Sequence, residues 1–237
     1  MDRDIRAFYR ISEDFTRYLA TSKERMEELR SLWRSNRRFF GTRVLDLACG
    51  GGVLGFLLEP AGHGYVGIEV NPDMIQGARA YAREVGSRNR FLLADITRKR
   101  VRGQFDTVTT LGNALCHFTP ADFTRVLTNV QGATHRRSYF LLEYRDVVAL
   151  LARQEWWTRK TIRRGKNKVH VVTKAYDTEH GAIEQDHTNV GSGRRVRFRH
   201  AIWSPFILEP LMASYDWTLV KRRRGRRDVV LDVYEHR

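Results

Sequence analysis

The run Val44-Leu45-Asp46-Leu47-Ala48-Cys49-Gly50-Gly51-Gly52 leaves this chain few ways to fold. Apolar residues around one acid make a buried strand. Three glycines then turn the backbone sharply, and Val53-Leu54-Gly55-Phe56-Leu57-Leu58 begins a helix. Strand, glycine turn and helix in that order suit a nucleotide-type ligand, because a backbone without Cβ atoms can approach it closely. The glycine spacing is not that of a phosphate cradle, and no Lys-Ser or Lys-Thr follows as in a P-loop. On its own the turn also reads as a tight connection with no ligand.

The residues that follow decide between these readings. Gly64–Val70 reads as a second strand ending at Glu69, 17 positions after Gly52. In doubly wound sheets an acid there receives ribose hydroxyls. Asn71-Pro72-Asp73 caps a helix expected from about Met74. Further strands are expected at Phe91–Ala94, running into Asp95, at Phe105–Thr110 and at Ser138–Glu143. Strands alternating with helices from residue 43 to 143 predict a parallel sheet covered on both faces.

The motifs Asp46–Gly52, Glu69, Ala94-Asp95-Ile96 and Phe105-Asp106-Thr107-Val108 resemble those of class I S-adenosylmethionine-dependent methyltransferases. Gly51 stands where that family usually has Thr or Ser, and His135-Arg136-Arg137 where many members have Pro-Gly-Gly. The resemblance implies an α/β, Rossmann-like fold with a seven-stranded, mostly parallel sheet, helices on both faces and a C-terminal antiparallel hairpin. It also implies S-adenosylmethionine as cofactor. Gly50 and Gly52 would let the loop pass under the methionine part, and Asp46 would orient that loop. Glu69 would take both ribose hydroxyls, Asp95 and the Ile96 backbone would meet the adenine, and Val70 and Met74 would sandwich it. Ala48 and Leu111 would complete the wall. Asp95 also reads as a helix cap, since Thr97 and basic residues follow.

Three further stretches are similar to glycine N-methyltransferases and their small-molecule relatives: Gly112–Phe118, Leu142–Leu150 and Tyr18–Arg25. That resemblance implies that Asn113 faces the methyl group, that Arg145 holds a substrate carboxylate, and that Arg25 holds the cofactor carboxylate. Asp146 replaces an Asn of that group. Arg suits such a grip, being bidentate and permanently charged. The bland alternatives are an ion pair with Asp146 or Glu143 for Arg145 and a turn residue for Asn113. Tyr9 and Tyr18 lie on an amphipathic segment, residues 1–42, expected to form a helical lid; core packing of the rings is the other reading. His117 could take a proton, but packing at a helix start is the preferred reading. Methyl transfer to a neutral amine needs positioning more than covalent help, and no catalytic triad is legible. The two cysteines, Cys49 and Cys116, suggest neither a zinc site nor a disulfide framework.

The core is expected over residues 43–153 and 204–237. Residues 154–203, with Trp156-Trp157 and the runs Val169–Tyr176 and Arg194–His200, read as an inserted antiparallel β-layer that roofs the substrate pocket or joins copies of the chain. Strands Trp217–Arg222 and Asp228–Tyr234 would close the sheet. Lys plus Arg number 42 against 27 Asp plus Glu, a net charge of +15. The turn Arg222-Arg223-Arg224-Gly225-Arg226-Arg227 is densely basic. These features offer RNA as an alternative partner to a small molecule. Against RNA, the Arg excess is spread over the whole chain. Neither a secretory signal nor a membrane span is legible, so a cytosolic protein is expected.

Overall fold

A computed structural model describes residues 8–10, 23–155, 159–164 and 167–237, without the side chains of Arg164 and Arg227. Tyr18 and the Trp156-Trp157 pair lie outside the described residues. Seven strands form one sheet: β1 (Arg43–Leu47), β2 (Gly64–Glu69), β3 (Arg90–Leu93), β4 (Phe105–Thr110), β5 (Thr134–Arg145), β10 (Trp217–Arg224) and β11 (Val229–His236). Their order is β10-β11-β5-β4-β1-β2-β3. Strands β1 to β5 are parallel, and the β10–β11 hairpin adds antiparallel to β5. The strand order reverses beside β1, which has β2 on one side and β4 on the other. At such a switch point the carboxyl ends of the strands leave a crevice.

Burial on both faces explains the apolar residues of β1 on either side of Asp46. Val44, Leu141 and Val233 pack with α1 (Lys23–Asn36), α2 (Val53–Leu58) and α3 (Pro72–Glu84). Leu45, Leu47, Val108 and Phe140 face the other way, onto α4 (Pro120–Val130) and α6 (Pro205–Ala213). Helix α3 begins two residues before the expected Met74: Pro72 occupies the first turn, where its missing N–H costs nothing, and the Asn71 side chain accepts from the Asp73 N–H at 3.0 Å. Strand β5 starts four residues early and carries Arg137 at φ 69°. Helix α5 (Val147–Ala152) follows it, capped by the Asp146 side chain.

A second, antiparallel sheet runs β6 (Lys160–Arg164), β7 (Asn167–Asp177), β8 (Ala182–Asn189), β9 (Arg195–Ala201). Trp203, immediately after it, is buried and donates its indole N–H to the carbonyls of Leu115 at 2.8 Å and Phe118 at 3.0 Å. The sheet is thereby tied to the segment that follows β4. No helix among the described residues is long and apolar enough to cross a membrane.

The basic hairpin is built largely into this fold. Asp232 is fully buried on β11 and accepts from Arg222 Nε at 2.7 Å and Nη2 at 2.9 Å, with Tyr144 and Tyr234 hydroxyls at 2.9 and 3.2 Å. Arg224 pairs with Asp146 at 3.0 Å. Removing one member of a buried pair leaves the other charge uncompensated. Arg222→Ala should therefore lower stability by about 3 kcal/mol in urea unfolding; an unchanged midpoint would show that the pair adds nothing.

Candidate active site

The carboxyl ends of β1, β2, β3 and β4 surround a cavity of about 740 Å³. That lies within the range of roughly 300–1,000 Å³ usual for small-molecule sites. Its wall contains Arg25, Asp46, Ala48, Gly50, Glu69, Val70, Met74, Asp95 and Leu111, all expected at a cofactor site.

The glycine turn forms the floor. Ala48, Gly50 and Gly52 have φ of 56°, 55° and 74°. A left-handed backbone costs an alanine roughly 1–2 kcal/mol, so Ala48 holds strain in the cavity wall. Gly50 lines the cavity above Met74, and a Cβ there would lie 3.6 Å from the Met74 sulfur. Gly52 serves packing instead: a Cβ at that position would lie 2.2 Å from the Phe91 ring. It is the cap of α2 and is not in the cavity wall.

Glu69 clamps this floor. One carboxylate oxygen accepts from Gly50 N–H at 3.0 Å; the other accepts from Val70 N–H at 2.8 Å and Asn71 N–H at 2.9 Å. A carboxylate offers about four acceptor positions, so one remains for a ribose hydroxyl in this arrangement. Burial raises the carboxyl's pKa, opposed by these three backbone donors. Asp46, 5% exposed, accepts from Thr109 Oγ1 at 2.6 Å and Tyr65 hydroxyl at 2.7 Å. Burial outweighs these bonds and the Arg25 charge, and lifts its pKa to about 6. Burial likewise pushes the Cys49 thiol well up, which leaves it inert.

Asp95 both lines the cavity and caps the turn after it: one carboxylate oxygen accepts from Thr97 N–H and hydroxyl at 3.0 and 2.7 Å. Ile96 is buried in the core and outside the wall. Arg25 reaches from α1 over Gly112, where a Cβ would lie 3.2 Å from its Nη2. Beside it Glu143, at the end of β5, accepts from Gly112 N–H at 2.9 Å. Glu143, Tyr65 and Thr109 were absent from the sequence-based assignment; Glu143 could have been noticed as the acid ending the fifth strand.

Asn113 and Arg145 lie together but outside this wall. Asn113, at φ 61°, turns its carboxamide oxygen onto the Arg145 backbone N–H at 2.9 Å. Tyr9 and His117 do line the cavity, with the tyrosine hydroxyl 2.8 Å from His117 Nε2. Among the described residues no group of three or more His, Cys, Asp or Glu is placed to hold a metal ion.

Residues 44–136 match the family described as "Methyltransferase domain". They form a methyltransferase domain. The methyltransferase fold extends over nearly the whole chain. The PH0226 protein of Pyrococcus horikoshii OT3 superposes with a TM-score of 0.74, at 26% identity, over 97% of this chain and 98% of that one. An S-adenosylmethionine-dependent methyltransferase of Clostridium acetobutylicum ATCC 824 shares the fold at 14% identity, with a TM-score of 0.73 and 97% of each chain covered. Among curated proteins, the ubiquinone biosynthesis O-methyltransferase of Shewanella pealeana is 35% identical over 72 residues, 30% of each chain. The chain thus spans less than a third of that relative's length.

S-adenosylmethionine carries ammonium and sulfonium charges, and Asp46 and Glu69 lie in the wall of the cavity that would receive it. Positive charge pulls a raised carboxyl pKa back down, so binding favours the ionised acids. Affinity should be full above the Asp46 value of about 6 and fall as pH drops through it, with protons released on binding near pH 6. Calorimetry at pH 6 in two buffers of different ionisation enthalpy measures that release. Zero release with a pH-independent affinity would contradict it.

Proposed function

We propose that the protein transfers the methyl group of S-adenosylmethionine to nitrogen of a small, carboxylate-bearing amine. The observation that carries the reading is a cavity at the switch point with Gly50 and Glu69 on its floor and Arg25 above Gly112. In this reading Glu69 holds the ribose, Asp95 the adenine amine, Val70 and Met74 its faces, and Arg25 the methionine carboxylate. S-adenosylmethionine supplies an electrophilic methyl carbon when bound. The chain's own part is to orient the acceptor in line and exclude water.

Arg145 is assigned to the acceptor carboxylate. It stands at the end of β5, pinned through its backbone by Asn113. Asn113 then acts by placing Arg145, and Tyr18 is left as part of the lid. The small-molecule reading is favoured over RNA because Arg222 and Arg224 of the basic hairpin are engaged by Asp232, Glu209 and Asp146. A second reading, transfer to oxygen, is favoured by the name of the curated relative at 35% identity. A screen with methyl-labelled S-adenosylmethionine against amino acids, amines, dihydroxybenzoates and RNA separates these. Salt-sensitive labelling of RNA alone would refute the small-molecule assignment.

Two variants test the residues. Glu69→Ala should reduce cofactor affinity at least about a hundredfold, since it removes a ribose acceptor and leaves three backbone donors unpaired; unchanged affinity refutes the site. Arg145→Ala should raise the acceptor KM about tenfold or more while the cofactor KM stays within about twofold. Equal effects on both would remove the carboxylate assignment.

A further inference from the structure

We propose that Tyr9 and His117 form a proton relay that strips the acceptor of its proton in the cavity before transfer. The inference rests on the methyltransferase reading above and adds a step to it. The groups assigned to the cofactor come from the ends of β1, β2, β3 and β4 and from α1 and α3. Tyr9 and His117 close the same cavity from the segments that remain, residues 8–10 and the single turn Ala114–His117 after β4. Their hydroxyl and Nε2 are 2.8 Å apart.

Both rings are held from behind. Phe8 stands edge-on to Tyr9 at 5.3 Å and against Phe198 of β9 at 4.5 Å, while His117 packs on Phe198 at 5.2 Å. The inserted sheet therefore sets the position of the pair, and Trp203 fixes the same turn through Leu115.

The acids in the wall are already committed. Asp46 is bound by Tyr65 and Thr109, Glu69 by three backbone N–H groups, Asp95 by Thr97, and Asp122 by Thr119 and Arg125. An amine reaches the site largely as an ammonium ion, which has no lone pair to attack with. In the relay its N–H bond breaks and the proton moves to the Tyr9 oxygen as Tyr9's own proton passes to His117 Nε2. The freed lone pair forms the bond to the methyl carbon. The carbon–sulfur bond breaks, and its electron pair stays on sulfur as the thioether. The imidazolium then returns its proton to water. Tyr9 touches the acceptor; His117 acts through it.

Sinefungin tests this without knowledge of the natural acceptor, because it carries a primary amine where the cofactor carries its methylsulfonium. S-adenosylhomocysteine, which has no such amine, is the reference. In the wild-type protein the Tyr9 oxygen accepts from the sinefungin ammonium while it donates to His117. Tyr9→Phe should weaken sinefungin by about tenfold and S-adenosylhomocysteine by less than about twofold, the loss expected for one charge-assisted hydrogen bond.

Protonation of His117 reverses the Tyr9 bond and turns a hydroxyl hydrogen toward the cavity. The sinefungin preference of the wild-type protein should therefore grow as pH rises. In His117→Gln that growth should shrink. What remains belongs to the other charges facing the site: Asp46, Glu69, Asp95, Asp122, Arg25, Arg98 and Arg125 in the wall, and His187 and His200 behind Phe8. Equal losses of both ligands in Tyr9→Phe, or the same pH dependence in His117→Gln as in the wild type, would overturn the relay. If the wild-type protein binds neither ligand, the methyltransferase reading itself fails.

Discussion

The Glu69 carboxylate is the contact on which the rest of the site depends. It joins three pieces of chain that the sheet alone would leave independent: the glycine turn through Gly50, the end of β2 through Val70, and the start of α3 through Asn71. A buried carboxylate is costly to leave unpaired, and three backbone donors offset that cost. The backbone N–H groups at the turn and helix start are satisfied by the same atoms. A group with one acceptor position left over can then receive a ligand without any rearrangement of the floor. Asp46 repeats the arrangement one layer down, with Tyr65 and Thr109 in place of backbone donors.

Charge does different work from what composition suggests. A net charge of +15 invites a polyanion. Yet several of the most clustered arginines turn inward to carboxylates: Arg222 to Asp232, Arg224 to Asp146, and Arg195 and Arg197 to Asp186. Asp186 is buried in β8, and its arginine partners hold its carboxyl below the usual range despite burial. In this chain many arginines are structural counter-ions that allow acids to sit inside sheets.

Most of the core was legible because its strands are short runs of apolar and β-branched residues that alternate with helix starts. Val44–Leu47, Gly64–Glu69 and Phe105–Thr110 carry that pattern, and the cavity wall follows from where they stop. The second sheet was legible only at Val169–Tyr176 and Arg194–His200. Its most buried strand, β8, reads Ala182-Ile183-Glu184-Gln185-Asp186-His187-Thr188-Asn189, and no hydrophobic pattern marks it. Its burial comes from ion pairs with β9 and rings packed around His187, which only the folded chain brings together. Arg145 and Asn113 illustrate the same limit. Each was expected at the site, but the bond from the Arg145 backbone to the Asn113 side chain is a matter of local φ and not of residue type. Tyr9 and His117 are 108 positions apart, and the hydrogen bond between them has no signature along the chain.

The central claim is that this cavity binds S-adenosylmethionine at the Glu69-clamped floor. Isothermal titration of the unmodified chain with S-adenosylhomocysteine at pH 7.5 tests it most directly. The account predicts one saturable site per chain and, on Glu69→Gln, which keeps size but changes the acceptor set, a clear loss of affinity. No binding heat with a folded wild-type chain, or binding that Glu69→Gln leaves untouched, would contradict it.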